Sequence, residues 1–374
     1  MNIVSIQGEY ELANGFHYEY DRDSAPLGEG GMGRVFQGYI VDNATGKYSP
    51  VAIKEIREEV ASNPELIERA RRESSVQIDD DNLLRMYGFI PNAEISPVTG
   101  AGIIRYYMVM ERLVGVDLEH VLSGMTFDKS GIAVQYAQEI YQMYFSDKRQ
   151  AIITIMSGLL SGLKALHSRG YIHRDIDPSN IMITMDRKIK LIDFGVSKQV
   201  SAWTSSAGGG GTKMGSFIGK VNYAAPELAI GDIPNQGFQT DIYAAGVLMF
   251  QLATGHLPFS GTNQEVLQAQ LTKELPLKEV EDKGFREIIR KATEKKKENR
   301  YQSAEAMLED LRKLAEGRSV SASGTRRVSA QFPPEKNPAR ETVEKTPLNL
   351  PYGWFYAGAA VVGLAVGVVL NFCI

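Results

Sequence analysis

The chain has a single cysteine, Cys373, next to its last residue. One thiol excludes an internal disulfide framework and a cysteine-rich zinc site, and it suits a reducing compartment. The opening residues, Met1 to Gly8, lack a basic segment followed by an apolar run, so no secretory signal is read there. Positive charge is not in excess either: 41 Lys and Arg stand against 45 Asp and Glu, a net charge of −4. That balance argues against a protein that coats nucleic acid. Hydrophobic residues at 43% and charged residues at 23% of 374 are enough for a folded body and exclude a wholly disordered or collagen-like chain. Glycine alone is raised, at 36 residues, four of them consecutive at Gly208 to Gly211.

Charge is missing altogether from Trp354 to Ile374, 21 residues in which the one strongly polar side chain is Asn371. As a helix this stretch reaches about 31 Å at about 1.5 Å per residue, matching a hydrocarbon core of about 30 Å. Tyr352, Trp354 and Tyr356 lie at its entry end, where interfacial aromatics sit. The expectation is a single-pass transmembrane helix over 352–374. Because nothing follows the span, it reads as a C-terminal anchor in membrane lipid with the polar bulk in the cytoplasm. Within it Gly363 and Gly367 form a G-x-x-x-G, the spacing of a helix homodimer. Ahead of the span, residues 317–351 hold five of the 15 prolines, four serines and no period, and read as a disordered linker. Residues 1–19 read as an N-terminal extension and 20–316 as one α/β body.

Within that body, 20–60 and 88–112 are strand-like, with β-branched and aromatic runs such as Tyr106 to Met110. The pattern predicts a helix over 64–77, with Asn63 able to cap it and Pro64 suited to its first turn. A second helix is predicted over 149–168, where Ile152, Met156, Leu159, Leu160, Leu163 and Leu166 follow helical spacing. After about 240 the pattern is mostly helical. A strand-rich lobe therefore precedes a helix-rich one.

Gly28-Glu29-Gly30-Gly31-Met32-Gly33 is a G-x-G-x-x-G. Alone it fits a dinucleotide fold or a plain turn. The residues after it, Arg34 to Ile40, alternate like a strand, which favours a hairpin folded over phosphates. Val51-Ala52-Ile53-Lys54 ends a strand on a lysine. Glu73, on the same helix face as Leu66 and Ala70, is a reasonable partner for it. His173-Arg174-Asp175 runs on to Asn180, and Asp193-Phe194-Gly195 follows. Asp175, Asn180 and Asp193 are hard oxygen groups suited to Mg²⁺ and phosphate rather than to zinc.

In this order and spacing the motifs resemble a protein kinase of the eukaryotic-like serine/threonine type found in bacteria, a class that often carries one membrane span after a linker. The resemblance covers about 20–315 and includes Ala225-Pro226-Glu227 and Asp241-Ile242-Tyr243. It implies a two-lobed α+β protein-kinase-like fold: a β-rich N-terminal lobe with one main helix and a helical C-terminal lobe. It also implies ATP with Mg²⁺ or Mn²⁺, protein substrates, and a bacterial inner membrane. Gly28, Gly30 and Gly33 would cover the ATP phosphates. Lys54 would bind the α/β-phosphates and pair with Glu73. Asn180 and Asp193 would hold the metal, and Asp175 would orient the attacking hydroxyl and accept its proton. Leu27, Val35, Ala52 and Met182 would enclose the base, Met110 would guard the pocket rear, and Glu111 and Leu113 would meet adenine through backbone groups. Glu227 would pair with Arg300, and Arg174 would receive a phosphate from the activation segment.

Two positions depart from that family. Asp177 stands where a lysine is usual, and Lys220 where a threonine is usual. The expectation is an exchange in which the two form an ion pair. A nucleotide-binding pseudokinase scaffold is the alternative reading. A further segment, Ser123 to Lys148, reads as an insertion.

Overall fold

Aromatic and β-branched residues at a period of two build an antiparallel sheet. The computed structural model describes residues 1–95, 100–193 and 221–320. Residues 321–351 of the linker, the 352–374 span with Gly363 and Gly367, Phe194, Gly195, the glycine run and Lys220 all lie outside the described residues. The strands are β1 (Ile3–Ile6), β2 (Phe16–Asp21), β3 (Gly28–Gly30), β4 (Gly33–Asp42), β5 (Tyr48–Ile56), β6 (Met86–Ile95) and β7 (Gly102–Glu111). Their order is β1-β2-β4-β5-β7-β6, with β3 paired to β4. The segment 1–19, set apart by sequence as an extension, thus supplies β1, a short helix α1 (Glu9–Ala13) and the start of β2.

The two edges of the sheet approach each other, since Asn92 Nδ2 on β6 donates to the Ser5 carbonyl on β1 at 3.4 Å. The curled sheet therefore encloses its own small core of Ile6, Tyr20, Phe36, Ile53, Tyr107 and Val109, all buried. A charged cluster lies at its rim: Arg22 meets Glu94 at 2.9 Å and Glu55 at 3.2 Å, and Arg105 meets the same two carboxylates.

The opposite face of the sheet joins the main core. Helix α2 (Glu58–Ala61) leads into α3 (Pro64–Ser74), which packs against β6 and β7. Asn63 caps α3 by accepting the Glu65 and Leu66 N–H groups, and Pro64 takes the first turn, as the sequence predicts. The helix stops at Ser74 rather than 77. Ser74 Oγ donates to the Ala70 carbonyl and Ser75 Oγ to the Arg72 carbonyl, offering the last turn an alternative to continuing.

The second lobe opens with β8 (Gly115–Asp117), α4 (Leu118–Leu122), α5 (Gln135–Ser146) and α6 (Lys148–Ser168). Among the described residues α6 alone is long and apolar enough to cross a membrane, but most of that stretch is buried in the core. It is a core helix, capped by Asp147 and ended by Gly170 at φ 81°. Strands β9 (Ile181–Thr184) and β10 (Ile189–Leu191) form a small sheet with β8. Helices α7 (Pro226–Ala229), α8 (Phe238–Thr254), α9 (Asn263–Thr272), α10 (Lys283–Ala292) and α11 (Ala304–Ala315) complete the lobe. Helix α8 is buried almost all round, and α6 and α10 pack on it.

Candidate active site

Strand register brings the glycine motif, Val35 and Lys54 onto one face. Residues directly opposite each other in a ladder point the same way, and so do residues two apart along a strand. Gly28 faces Val35, Val35 faces Lys54, Lys54 faces Met108, and Ala52 faces Met110. Gly30 faces Gly33 at the hairpin end. This row includes Ala52, Met108 and Met110 of the main core, while the intervening Phe36, Ile53 and Val109 belong to the other core. The motif is a strand hairpin, as Arg34 to Ile40 suggested. Gly33 is required by closeness: a Cβ there would lie 2.1 Å from the Glu55 carbonyl oxygen on β5.

On α3, Ile67, Ala70 and Glu73 are all buried, so Glu73 does point inward with the apolar side. Lys54 is half-buried on β5. Among the described residues no ion pair joins the two side chains.

The loop 173–180 is fastened from below. Asp241, fully buried at the start of α8, accepts the N–H groups of His173 at 2.8 Å and Arg174 at 2.7 Å, and His167 Nε2 at 2.8 Å. Burial works to raise the Asp241 carboxyl, but His167, His173 and the Arg174 N–H outweigh it and hold it below the usual range. Burial pushes the His173 imidazole down, and its Nε2 lies 3.1 Å from the Ile192 carbonyl. Arg174 takes φ 67° and Asp193 φ 52°, both left-handed and both at the centre of the motif. Desolvation also lowers the Arg174 guanidinium, against the pull of Asp241, and among the described residues its Nε has no hydrogen-bond partner.

Asn180 ties the motif residues together. Its Nδ2 donates to the Asp175 carbonyl at 2.7 Å and to Asp175 Oδ2 at 2.8 Å. Its carbonyl accepts the Ile192 N–H at 2.9 Å, which brings the residue before Asp193 alongside. Asp177 is buried and caps the turn Pro178–Asn180, accepting the Ser179 N–H at 2.7 Å and Ser179 Oγ at 2.6 Å. Its expected ion pair with Lys220 falls outside the described residues. A small cavity opens beside Asp175, lined by Arg174, Tyr223, Leu228 and Thr240 among others.

Glu227 and Arg300 pair, as expected, and both are buried. Burial favours the neutral Glu227, but Arg300 and the Thr240 hydroxyl hold its carboxyl below the usual range.

Sequence reasoning missed Lys190 on β10. It is buried, and its Nζ lies 2.7 Å from Glu111 Oε1 and 2.9 Å from the Leu83 carbonyl. Glu111 Oε1 also accepts the Arg85 N–H at 2.7 Å, so this carboxylate fixes the strand end that leads to Leu113. In sequence, Ile189-Lys190-Leu191 reads as a strand with its lysine in solvent. Met182 pairs across from Lys190, and Asp117 pairs with Met182, which places all three in one row across the small sheet.

The match to known proteins agrees with this geometry. The family described as "Protein kinase domain" matches residues 22–312. The chain is 30% identical over 334 residues to a "Probable serine/threonine-protein kinase PknB" of Corynebacterium glutamicum, covering 86% of this chain and 46% of that protein. It is 30% identical over 297 residues to "Serine/threonine-protein kinase PrkC" of Bacillus subtilis, covering 76% and 39%. It is 29% identical over 312 residues to "Serine/threonine-protein kinase Pkn1" of Myxococcus xanthus, covering 80% and 39%. The chain spans less than half the length of each of these relatives.

Proposed function

The chain belongs to the protein kinase domain family, and from that premise we propose that it transfers the γ-phosphoryl group of ATP to Ser or Thr hydroxyls of proteins, its own included. The observation that carries this reading is the Asn180 side chain. It bonds to Asp175 while the Asn180 carbonyl accepts the N–H of Ile192, next to Asp193, which supports reading Asp175, Asn180 and Asp193 as one site.

Each residue then has a task. The Gly28–Gly33 hairpin lets backbone N–H groups approach phosphate. Lys54, on the same face, neutralises phosphate charge. Asp175, positioned by Asn180, orients the substrate hydroxyl and takes its proton as the oxygen attacks phosphorus and the bridging oxygen leaves with ADP. Asn180 and Asp193 offer hard oxygens suited to Mg²⁺ or Mn²⁺. Such an ion would supply charge neutralisation at the transferring group. The Ala225-Pro226-Glu227 stretch, held by the buried Glu227–Arg300 pair, favours a protein substrate. The half-buried Arg174 guanidinium suits an activation-segment phosphate.

We further propose kinase-domain boundaries of 20–316, a linker over 317–351 and a membrane anchor over 352–374. The support is composition: 21 uncharged residues with aromatics at their entry. A cytoplasmic kinase domain and pairing through Gly363 and Gly367 follow from the same span.

Incubation of the full chain with γ-labelled ATP, Mg²⁺ and a generic protein substrate tests the activity. Label is expected on the substrate and on the chain itself. Nucleotide binding without transfer would instead support the pseudokinase scaffold.

A further inference from the structure

The segment read as an insertion, Ser123 to Lys148, carries a cation that none of the kinase motifs uses. Residues 126–134 form a tight hairpin whose hub is Asp128. Its N–H donates to the Ile132 carbonyl at 2.8 Å, and its carbonyl accepts the Gly131 N–H at 2.9 Å. Its carboxylate accepts the N–H groups of Ser130 at 2.9 Å and Ile132 at 2.7 Å. Gly131 supplies the left-handed turn at φ 80°, a conformation glycine adopts without strain. At the base, the Val134 N–H donates to the Thr126 carbonyl at 2.9 Å, and both residues are buried. Helix α5 then fixes the insertion on α6 through the buried Ala137 and Ile140. The hairpin tip is thus a built feature.

Lys129 stands at this tip, exposed to solvent. Its Nζ lies 3.4 Å from the point that a Cβ on Gly28 would occupy, nearer than any other atom of the described residues beyond Leu27 to Glu29. Gly28 is directly opposite Val35, so that point lies on the face shared by Val35, Lys54 and Ala52. The insertion, rooted in the second lobe, therefore delivers an ammonium beneath the glycine hairpin of the first. Among the described residues this ammonium forms no ion pair. An ammonium that reaches this point suits an anion that enters the same space.

We propose that Lys129 is a further nucleotide-binding residue, a cation that contacts the phosphates of bound ATP from the mouth of the cleft. The inference rests on the nucleotide-binding reading above. Lys54 approaches the phosphates from the sheet and Lys129 from the insertion. Its flexible stem and three donors let it follow a polyphosphate without a fixed geometry.

Calorimetric titration of the full chain with Mg·ADP and with adenosine tests this. Lys129→Ala is expected to weaken Mg·ADP about fivefold, the size of an exposed charge pair, and to leave adenosine unchanged. Lys129→Arg should retain most of the affinity, and the loss should shrink as salt rises. Equal Mg·ADP affinity in Lys129→Ala would overturn the proposal. So would an equal loss for adenosine, which would move the contact to the ribose or base. Tighter Mg·ADP binding would make the side chain an obstruction and overturn it as well. If the unsubstituted chain binds neither compound, the nucleotide-binding reading fails and this inference with it. Normal binding by the unsubstituted chain with no response at Lys129 removes this inference alone.

Discussion

Arg300 forks onto Glu227 inside the second lobe, with Nη1 2.8 Å from Oε1 and Nη2 3.0 Å from Oε2. The remaining guanidinium donors reach the carbonyls of Glu294 at 2.7 Å, Lys295 at 2.9 Å and Gln239 at 3.0 Å. The whole fork is satisfied, and it fastens α7, which carries the Ala-Pro-Glu stretch, to the loop before Tyr301. Lysine offers three donors from one point and cannot reproduce this. Arg300→Lys should therefore destabilise the protein by roughly 2–3 kcal/mol, because a cation still faces Glu227 but buried carbonyls lose their donors. Urea unfolding measures it, and a loss below about 1 kcal/mol would show that the pair behaves like a surface bridge.

Acid should attack the same region. Glu227 and Asp241 are both held below their ordinary values of 4.5 and 3.8 in the folded chain. Depressed carboxyls contribute stability that is fully present above the unfolded values and drains as pH falls through the folded ones. The denaturation midpoint should thus be level near neutrality and fall below about pH 4.5. Glu227→Gln should start lower and show a shallower acid limb. An acid limb equally steep in that variant would rule Glu227 out as a source.

Lys295 predicts a change on the alkaline side. Burial, with Arg300 nearby, lowers its ammonium from 10.5 to about 8, although Nζ donates to the Tyr243 hydroxyl and the Gln270 carbonyl at 2.8 Å each. Between those two pH values the unfolded chain binds the extra proton, so this group makes stability rise with pH. Lys295→Met should remove that rise. Midpoints recorded from pH 7 to 10 that keep the same slope in the variant would sink the assignment.

The site was legible in sequence where chemistry recurs at fixed spacing, and illegible where burial decides. The glycine hairpin could be told from a dinucleotide turn because Arg34 to Ile40 alternate, and β4 is that strand. Glu73 could be placed by helical spacing from Ala70. Lys190 could not, because a lysine between two isoleucine-like neighbours looks like the solvent side of a strand. It is buried only because the Leu83 carbonyl and Glu111 arrive from elements about 80 residues or more away in the chain. Asp241 was visible as part of a motif, but its grip on the His173 and Arg174 N–H groups needs the fold. The sheet's closure by Ile3–Ile6 was hidden for a similar reason, since four residues carry too little pattern to declare a partner.

Asp175→Asn tests the base. Asparagine keeps the shape and a carbonyl oxygen but cannot take the proton. Transfer to a protein substrate should fall by roughly a hundred- to ten-thousandfold, the usual contribution of a positioned base. Mg·ADP affinity should stay within a factor of about two. Turnover close to that of the unsubstituted chain would remove Asp175 from the mechanism.

Lys190 should matter to the nucleotide through Glu111. Among the described residues its Nζ is the one cation at the Glu111 carboxylate, and that carboxylate also accepts the Arg85 N–H, so one buried charge holds β10, the segment before β6 and the end of β7 together. Lys190→Met keeps the length of the stem and removes the charge. The Glu111 carboxylate, about a fifth exposed, and the Leu83 carbonyl would then lose their partner. Truncating one side of such a pair should cost roughly 2–4 kcal/mol of stability. The strand end that leads into Arg112 and Leu113 should loosen, which should raise the KM for ATP several-fold with a smaller change in kcat, because the chemical groups at Asp175 are untouched. Lys190→Met combined with Glu111→Gln removes both charges, and it should recover part of the stability and of the KM. Strict additivity of the two substitutions, or a fall in kcat at unchanged KM, would mean that Lys190 supports the fold without holding the nucleotide-facing strand.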